Sequence, residues 1–284
     1  MTTTQTTTGL LPVPGATIHY EMRGTGPLLL ISQSGEGDAD RSDDLVDDLA
    51  VDHTVLTYDR RGLSRSTLDE PGGQISLPEH ADDVHRLLAS LTTEPVDMLG
   101  CSFGALIGLH LAARHPRQLR LLVAHEPVAP WLLPATERAR HERELFDIQR
   151  LYRAEGLPAA IRKIAGVLGI DPADKDVEPD LTPQPMTPQR IANFDVFIER
   201  DFTAAVRDVL DVAALTGLTT LTGPRIVPAV GRTTGERVFD RRCAEELARL
   251  LGTDPVEFPG GHNGNTSHPR GYARQLRDIL RAAR

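Results

Sequence analysis

The chain has 284 residues, 40% of them hydrophobic and 25% charged, and this ordinary globular composition excludes a coiled coil, a collagen-like chain and a fully disordered protein. Its 40 acidic against 31 basic residues give a net charge of -9, which makes nucleic acid and anionic membranes poor partners. Two cysteines are too few for a disulfide framework, and the start shows no secretion signal. We therefore expect a soluble cytoplasmic protein that begins with a frayed Thr-rich tail, MTTTQTTTG.

From about residue 15, short apolar runs alternate with longer helical patterns. The runs predict strands at 16–22, 28–31, 53–58, 96–99 and 119–124, and the patterns predict helices at 38–50, 77–91 and 103–114. Strands that alternate with helices of about 10 to 15 residues are typical of βαβ units. The first half of the chain therefore predicts a mostly parallel sheet flanked by helices.

The alternation stops after Pro127. From 134 to 222 the chain carries helical segments but no convincing strand. The alternation then resumes with predicted strands 226–230 and 256–258 and predicted helices 237–251 and 269–283. We therefore expect an α/β core formed by residues 1–127 and 223–284, with a helical lid inserted at 128–222.

The motif Gly100-Cys101-Ser102-Phe103-Gly104 lies directly between a predicted strand and a predicted helix. This G-x-S-x-G pattern in this position is typical of a nucleophile elbow, a strained turn that exposes a reactive serine. Ser102 is therefore the predicted nucleophile. The backbone amide of Phe103 is one expected oxyanion-hole donor, and Gly35, in the Gly-rich loop after strand 28–31, is the other.

A serine nucleophile needs a base and an acid. His262, with glycine on either side in the loop after the last predicted strand, is the expected base, since the chain order in such enzymes is serine, acid, histidine. The usual position of the acid, the turn 231–235, lacks a carboxylate. Glu126, which ends the apolar strand before the lid, is the first candidate, while Glu236 and Asp240 remain alternatives.

These residues give the chain a resemblance to the α/β-hydrolases, and more closely to the fungal zearalenone lactonases. The matching segments are 58–59, 62–66, 100–105, 125–126, 259–262 and 267–269. The resemblance implies a Ser–Glu–His triad with the glutamate just before the lid, which corresponds to Ser102, Glu126 and His262. It also implies aromatic lid residues against the substrate, for which this chain offers Trp131, Phe194 and Phe197.

The sequence thus predicts a serine hydrolase that cleaves an ester or lactone bond of a hydrophobic small molecule, without a cofactor or a metal. Carbon–carbon bond hydrolysis or acyl transfer in secondary metabolism, or a slow-turnover ligand receptor, are the alternatives, and a homodimer is left open. Apolar lid residues are expected to line a deep pocket over the serine; they are Leu133, Leu145, Ile148, Leu151, Ile161, Ile164, Val167, Phe194, Phe197 and Ile198.

Overall fold

The computed structural model describes residues 6–70, 72–171, 176–217 and 223–283, and within these ranges nine strands form one sheet. In chain order they are β1 Thr6–Val13, β2 Ala16–Arg23, β3 Leu28–Ser32, β4 Thr54–Tyr58, β5 Thr67–Leu68, β6 Val96–Cys101, β7 Leu119–His125, β8 Arg225–Gly231 and β9 Val256–Phe258. The spatial order is β1-β2-β4-β3-β6-β7-β8-β9, with β5 beside β2. All pairs from β4 to β9 are parallel, so the predicted parallel sheet is confirmed.

The start of the sheet differs from the expectation. The sequence predicts a frayed tail over residues 1–9, but residues 6–13 form β1, which pairs antiparallel with β2 from Thr6 opposite Arg23 to Val13 opposite Ala16. Threonine is β-branched and favours strands, yet only Val13 of β1 is buried, so no alternation of apolar residues marks the strand in the sequence. The first five residues lie outside the described ranges.

Helices cover both faces of the sheet, and the sheet separates two hydrophobic cores. One core contains residues of α2 Leu77–Leu91, α3 Phe103–Arg114 and α9 Phe239–Leu251, and the other contains residues of α1 Asp43–Leu49 and α11 Pro269–Ala282. Consecutive strand residues enter opposite cores, as Met98 and Leu99 of β6 show. None of the helices in the described ranges combines the length and hydropathy needed to cross a membrane.

The first helix is shorter than predicted. The pattern 38–50 predicts one helix, but α1 begins only at Asp43. The residues before it are held by other partners: the side chain of Asp38 accepts a hydrogen bond from Ser64 over 2.6 Å, and the Ala39 amide donates to Asp59 over 2.8 Å. These tertiary contacts compete with a helical turn, and acidic composition alone does not reveal them.

Helices fill the segment between β7 and β8. They are α4 Ala135–Glu155, α5 Leu157–Val167, α6 Pro188–Val196, a π-helical turn Phe197–Asp201, α7 Phe202–Arg207 and α8 Val212–Gly217. The described part of this helical insertion contains no strand, in agreement with the sequence pattern. Several ion pairs join the insertion to the core, among them Arg190 with Glu36 over 2.7 Å and Asp201 with Arg60 over 2.8 Å. A short helix, α10 Gly264–Ser267, precedes α11.

Candidate active site

Ser102 occupies a sharp turn between β6 and α3. Its backbone has φ 53° and ψ -114°, a conformation that residues with side chains rarely adopt. A Cβ at Gly100 would lie 2.6 Å from the Cα of Ala105. One at Gly104 would lie 2.1 Å from the Ser32 carbonyl oxygen, so both positions require glycine. The spacing of glycines around Ser102 is therefore a packing requirement of the turn.

Glu126 binds His262 from the end of β7. Its Oε2 accepts a hydrogen bond from Nδ1 of His262 over 2.7 Å, and its Oε1 accepts the amide of Gly231 over 2.8 Å. Glu126 is fully buried and has φ 44°, and its own amide donates to the Ala229 carbonyl oxygen over 3.0 Å. Both carboxylate oxygens thus have partners, which compensates the cost of burying the charge.

The loop after β9 carries His262 to the carboxyl end of the sheet. Gly260 has φ 74°, and a Cβ at Gly231 would lie 2.5 Å from the carbonyl carbon of Gly261, so two glycine backbones approach closely here. Because Nδ1 donates to Glu126, Nε2 is left to accept a proton. His262 and Ser102 line the same cavity. The described hydrogen bonds do not include one between Ser102 Oγ and His262 Nε2, a bond that often tightens only when substrate binds.

The two alternative acids occupy different environments. Glu236 lies in an exposed turn before α9, and no hydrogen bond to His262 is described for it. Asp240 is fully buried in the first turn of α9 and also has none, although its charge acts on His262. Of the three candidate acids, the structure brings only Glu126 into hydrogen-bond contact with His262.

The Glu126–His262 contact changes the pKa of both groups. Burial alone would raise the pKa of Glu126, but the hydrogen bond to His262, nearby histidine charges and the Gly231 amide outweigh it and lower the pKa to about 2. Burial alone would lower the pKa of His262, but the hydrogen bond to Glu126 and the charges of Asp240 and Glu126 raise it above its ordinary value. Glu126 is therefore ionised at neutral pH and favours the imidazolium form of His262.

This electrostatic arrangement predicts a pH profile. We expect kcat/KM for a neutral ester to fall as the pH is lowered, with a midpoint above the ordinary histidine pKa of about 6.5, because His262 must be neutral to accept a proton. In Asp240→Asn, one charge that raises the pKa of His262 is lost, and the midpoint moves to lower pH. Steady-state rates from about pH 5 to about pH 9 measure both. A wild-type midpoint below the ordinary value would contradict the assignment of His262 as base.

The expected oxyanion donors lie on two segments that pack together. Phe103 is the first residue of α3, and Gly35 follows β3 in a loop that lines the cavity beside Ser102. The described hydrogen bonds occupy neither the Gly35 amide nor the Phe103 amide. The N-terminus of α3 adds partial positive charge at this position. Both amides are therefore free to bind a developing negative charge.

Arg60 connects the residues that carry these two amides, a role that does not follow from the sequence pattern. Its guanidinium donates to the carbonyl oxygen of Gly35 and, over 3.4 Å, to that of Gln33. It lies 4.9 Å from the centre of the Phe103 ring and pairs with Asp201 of the insertion over 2.8 Å. At 1% exposure, Arg60 is a positioning residue that holds the Gly35 loop against α3. The only sequence signal is a pair of arginines directly after a buried strand.

Ser102 and His262 line a cavity of about 250 Å³ whose wall is mostly apolar. Phe194 and Phe197 belong to this wall, as the sequence predicts, but Trp131 does not: its indole donates to Asp208 over 2.9 Å instead. The other apolar lining residues of the insertion are Val128, Leu145, Ile148, Ile161, Ile164, Ala165, Val167, Leu168, Ile170 and Phe202. Leu133, Leu151 and Ile198, which were expected there, are absent from the described lining.

Most polar residues of the cavity wall were not identified by sequence patterns. Besides Ser102, His262 and Asp240, which the sequence singles out, the polar lining residues are Ser34, Glu36, Arg41, Arg190 and Asn263. Oε1 of Glu36 accepts from Nε of Arg190 over 3.1 Å and from its Nη2 over 2.7 Å. In the sequence these charges are indistinguishable from those of a solvated surface, since their partners come from distant parts of the chain.

A serine elbow at the carboxyl end of a mostly parallel sheet, with a histidine after the last strand, defines the architecture of the α/β-hydrolases. The chain belongs to the α/β-hydrolase fold family, whose sequence model matches residues 27–165. An uncharacterized hydrolase of Bacillus subtilis, YraK, is 38% identical over 272 residues, which cover 96% of this chain and 95% of that protein.

Two solved structures share the fold at low sequence identity. The enol-lactonase of Burkholderia xenovorans LB400 superposes with a TM-score of 0.69 at 21% identity, covering 96% of this chain and 100% of its own. A carboxylesterase structure from the Thaumarchaeon Nitrososphaera gargenis gives a TM-score of 0.68 at 19% identity, covering 97% of this chain and 98% of its own. At these identities the likeness concerns the fold alone.

Proposed function

We propose that this α/β-hydrolase cleaves an ester or lactone bond of a hydrophobic small molecule, with Ser102, His262 and Glu126 as its catalytic triad. The observation that carries the proposal is the 2.7 Å contact between Glu126 and His262, because His262 lines an apolar cavity together with Ser102. A buried carboxylate that fixes one imidazole nitrogen leaves the other nitrogen as a base for the serine.

In this mechanism Ser102 Oγ attacks the carbonyl carbon while His262 Nε2 accepts its proton. Glu126 keeps the proton of Nδ1 in place and stabilises the imidazolium. The alkoxide oxygen of the tetrahedral intermediate accepts hydrogen bonds from the amides of Gly35 and Phe103. His262 then donates its proton to the leaving alcohol oxygen, and the acyl group stays on Ser102. Water, activated by the same histidine, attacks the acyl-enzyme and releases the acid.

Two observations favour the cleavage of an ester or a lactone: the apolar lining of the cavity, and the activities named for solved structures that share the fold. Apart from a few polar groups the cavity wall is aliphatic and aromatic, which suits an apolar acyl chain or macrocycle. Among the solved structures with this fold are an enol-lactonase and carboxylesterases. The resemblance to zearalenone lactonases points the same way. In this proposal residues 128–222 act as a lid over a core formed by 1–127 and 223–284.

A series of substrates tests the proposal. We expect kcat/KM of p-nitrophenyl esters to rise from acetate to longer chains, by roughly tenfold or more over three or four methylenes, because each buried methylene contributes about 0.8 kcal/mol. Macrocyclic lactones should be cleaved faster than linear esters of equal size, since a ring loses less conformational entropy on binding. Initial rates for the two series give both comparisons.

Two results would contradict parts of this proposal. A profile that is flat, or that peaks at acetate, would show that the apolar lining does not bind the acyl chain. Stoichiometric release of p-nitrophenol without turnover would indicate a receptor with a reactive serine rather than an enzyme. A Phe194→Ala variant serves as matched control, because it removes an aromatic ring from the apolar wall and leaves the triad unchanged. We expect it to reduce the rates of long esters more than the rate of acetate.

A further inference from the structure

Among the described residues of the cavity wall, one buried carboxyl group belongs neither to the proposed triad nor to an ion pair. Asp240 lies in the first turn of α9 and is 0% exposed. Neither of its oxygens accepts a hydrogen bond from another described residue, whereas both oxygens of Glu126 do. Burying a carboxyl group without partners is costly, and folded proteins rarely leave such a group unpaired. Asp240 is one of the residues that line the cavity, so a ligand bound there can supply the missing partner.

The surroundings of Asp240 decide what it can bind. Burial, reinforced by the negative charge of Glu126 and opposed by His262, raises the pKa of Asp240 to about 7. Near neutral pH both forms are therefore populated: the protonated carboxyl group has one O–H donor and one carbonyl acceptor, and the ionised group only accepts. The neighbouring cavity wall is apolar, formed by Phe239, Val128 and Leu145 among others. In this environment a group on the ligand that both donates and accepts hydrogen bonds would satisfy the carboxyl completely.

We infer that Asp240 is a specificity-determining residue that binds a hydroxyl group in the alcohol part of the substrate. This rests on the proposed function. Asp240 and His262 line the same cavity, and the charge of each acts on the pKa of the other. His262 returns its proton to the leaving alcohol oxygen, and the alcohol part therefore occupies the space next to Asp240. A hydroxyl on that part fills both hydrogen-bonding capacities of the carboxyl group.

The alternative role for Asp240 is purely electrostatic, through the pKa of His262. That effect changes the rate of every ester by the same factor, because all of them require the same base. A hydrogen bond to the substrate changes the rate only of those that carry the hydroxyl. The ratio of kcat/KM between two matched esters therefore separates the roles, since any contribution through His262 cancels in it.

The experiment uses octanoate esters that differ only in the alcohol part. One is the plain butyl ester, a second set has a hydroxyl at butyl carbon 2, 3 or 4, and a third set has the corresponding methyl ethers. We expect wild-type protein to prefer one hydroxyl isomer over the plain ester by roughly tenfold or more, and its methyl ether to lose that preference, because a site built for a hydroxyl discriminates strongly.

Two variants complete the test. Asp240→Leu, of similar size and without polar atoms, should favour the plain ester, while Asp240→Asn, which still donates and accepts, should keep a preference of several-fold. Equal ratios in wild type and Asp240→Leu for every isomer would overturn the inference. If Asp240→Leu does not fold, the wild-type comparison of hydroxyl with methyl ether decides alone. Failure to cleave any ester would overturn the proposed function as well, whereas Ser102-dependent cleavage without a preference would overturn only the inference.

Discussion

Ser102→Ala is expected to lower kcat for a p-nitrophenyl ester by roughly 10³-fold or more while the protein stays folded. The alcohol oxygen that forms the acyl-enzyme is removed, and no other nucleophile is placed beside His262 in the described cavity. Stability should change little, because alanine and serine both carry a Cβ and experience the same backbone strain at φ 53°. Steady-state kinetics and thermal unfolding of the two proteins measure the two effects.

Ser34→Ala is the matched control for this substitution. Ser34 lines the same cavity and is nearly buried, but it belongs to the loop after β3 and not to the elbow. Its loss should change kcat only a few-fold, since the described hydrogen bonds include none between its hydroxyl and a base. If Ser102→Ala kept the wild-type rate, Ser102 would not be the nucleophile and the mechanism would be wrong.

The part of the site that the sequence predicts best is local. The turn at Ser102 needs glycine at 100 and 104 for steric reasons, and the apolar runs before and after it specify β6 and α3. Both the pattern and its cause lie within about a dozen residues. The same holds for the buried strands β3 and β7, whose continuous apolar runs are typical of a sheet that is covered on both faces.

The features that the sequence does not reveal depend on contacts between distant segments. β1 is recognisable only through its pairing with β2, because its exposed threonines show no alternation. Arg60 acquires a role when Gly35 and Asp201 come together around it. Trp131 was assigned to the substrate because of its type, but its indole is bonded to Asp208. The composition of the chain and the spacing of its motifs do not predict such contacts between distant residues.

The proposed acid, Glu126, could be predicted only in part from the sequence around it. A carboxylate at the end of an apolar strand must find a partner, which made Glu126 the first candidate. Only the structure shows that the partner is His262, and that Gly231 of the neighbouring strand binds the second oxygen. Gly231 ends β8, directly at the usual position of the acid in such enzymes. The Glu126 side chain thus brings a carboxylate to that strand end from β7.

Glu126→Gln is expected to lower kcat by about 10³-fold or more, while Glu236→Gln leaves it unchanged. A glutamine amide can donate to Nδ1 of His262, which would place the imidazole proton on Nε2 and prevent it from accepting the serine proton. The negative charge that stabilises the imidazolium is also lost. Glu236 is exposed, so its substitution controls for a general change of charge. Kinetics at a pH above the His262 midpoint measure the difference.

The opposite ranking would move the acid to the segment after β8. Asp240→Asn adds a third comparison, because Asp240 influences His262 by charge but makes no hydrogen bond to it. We therefore expect its effect on kcat for a plain ester to stay far smaller than that of Glu126→Gln at a pH where His262 is neutral. If Asp240→Asn were the more damaging change, the Asp240 side chain would have to move to Nδ1 of His262 during the reaction. Glu126 would then serve only to hold the Gly231 amide. The 2.7 Å contact favours Glu126, since orientation of the imidazole requires a bond that is present before the substrate binds.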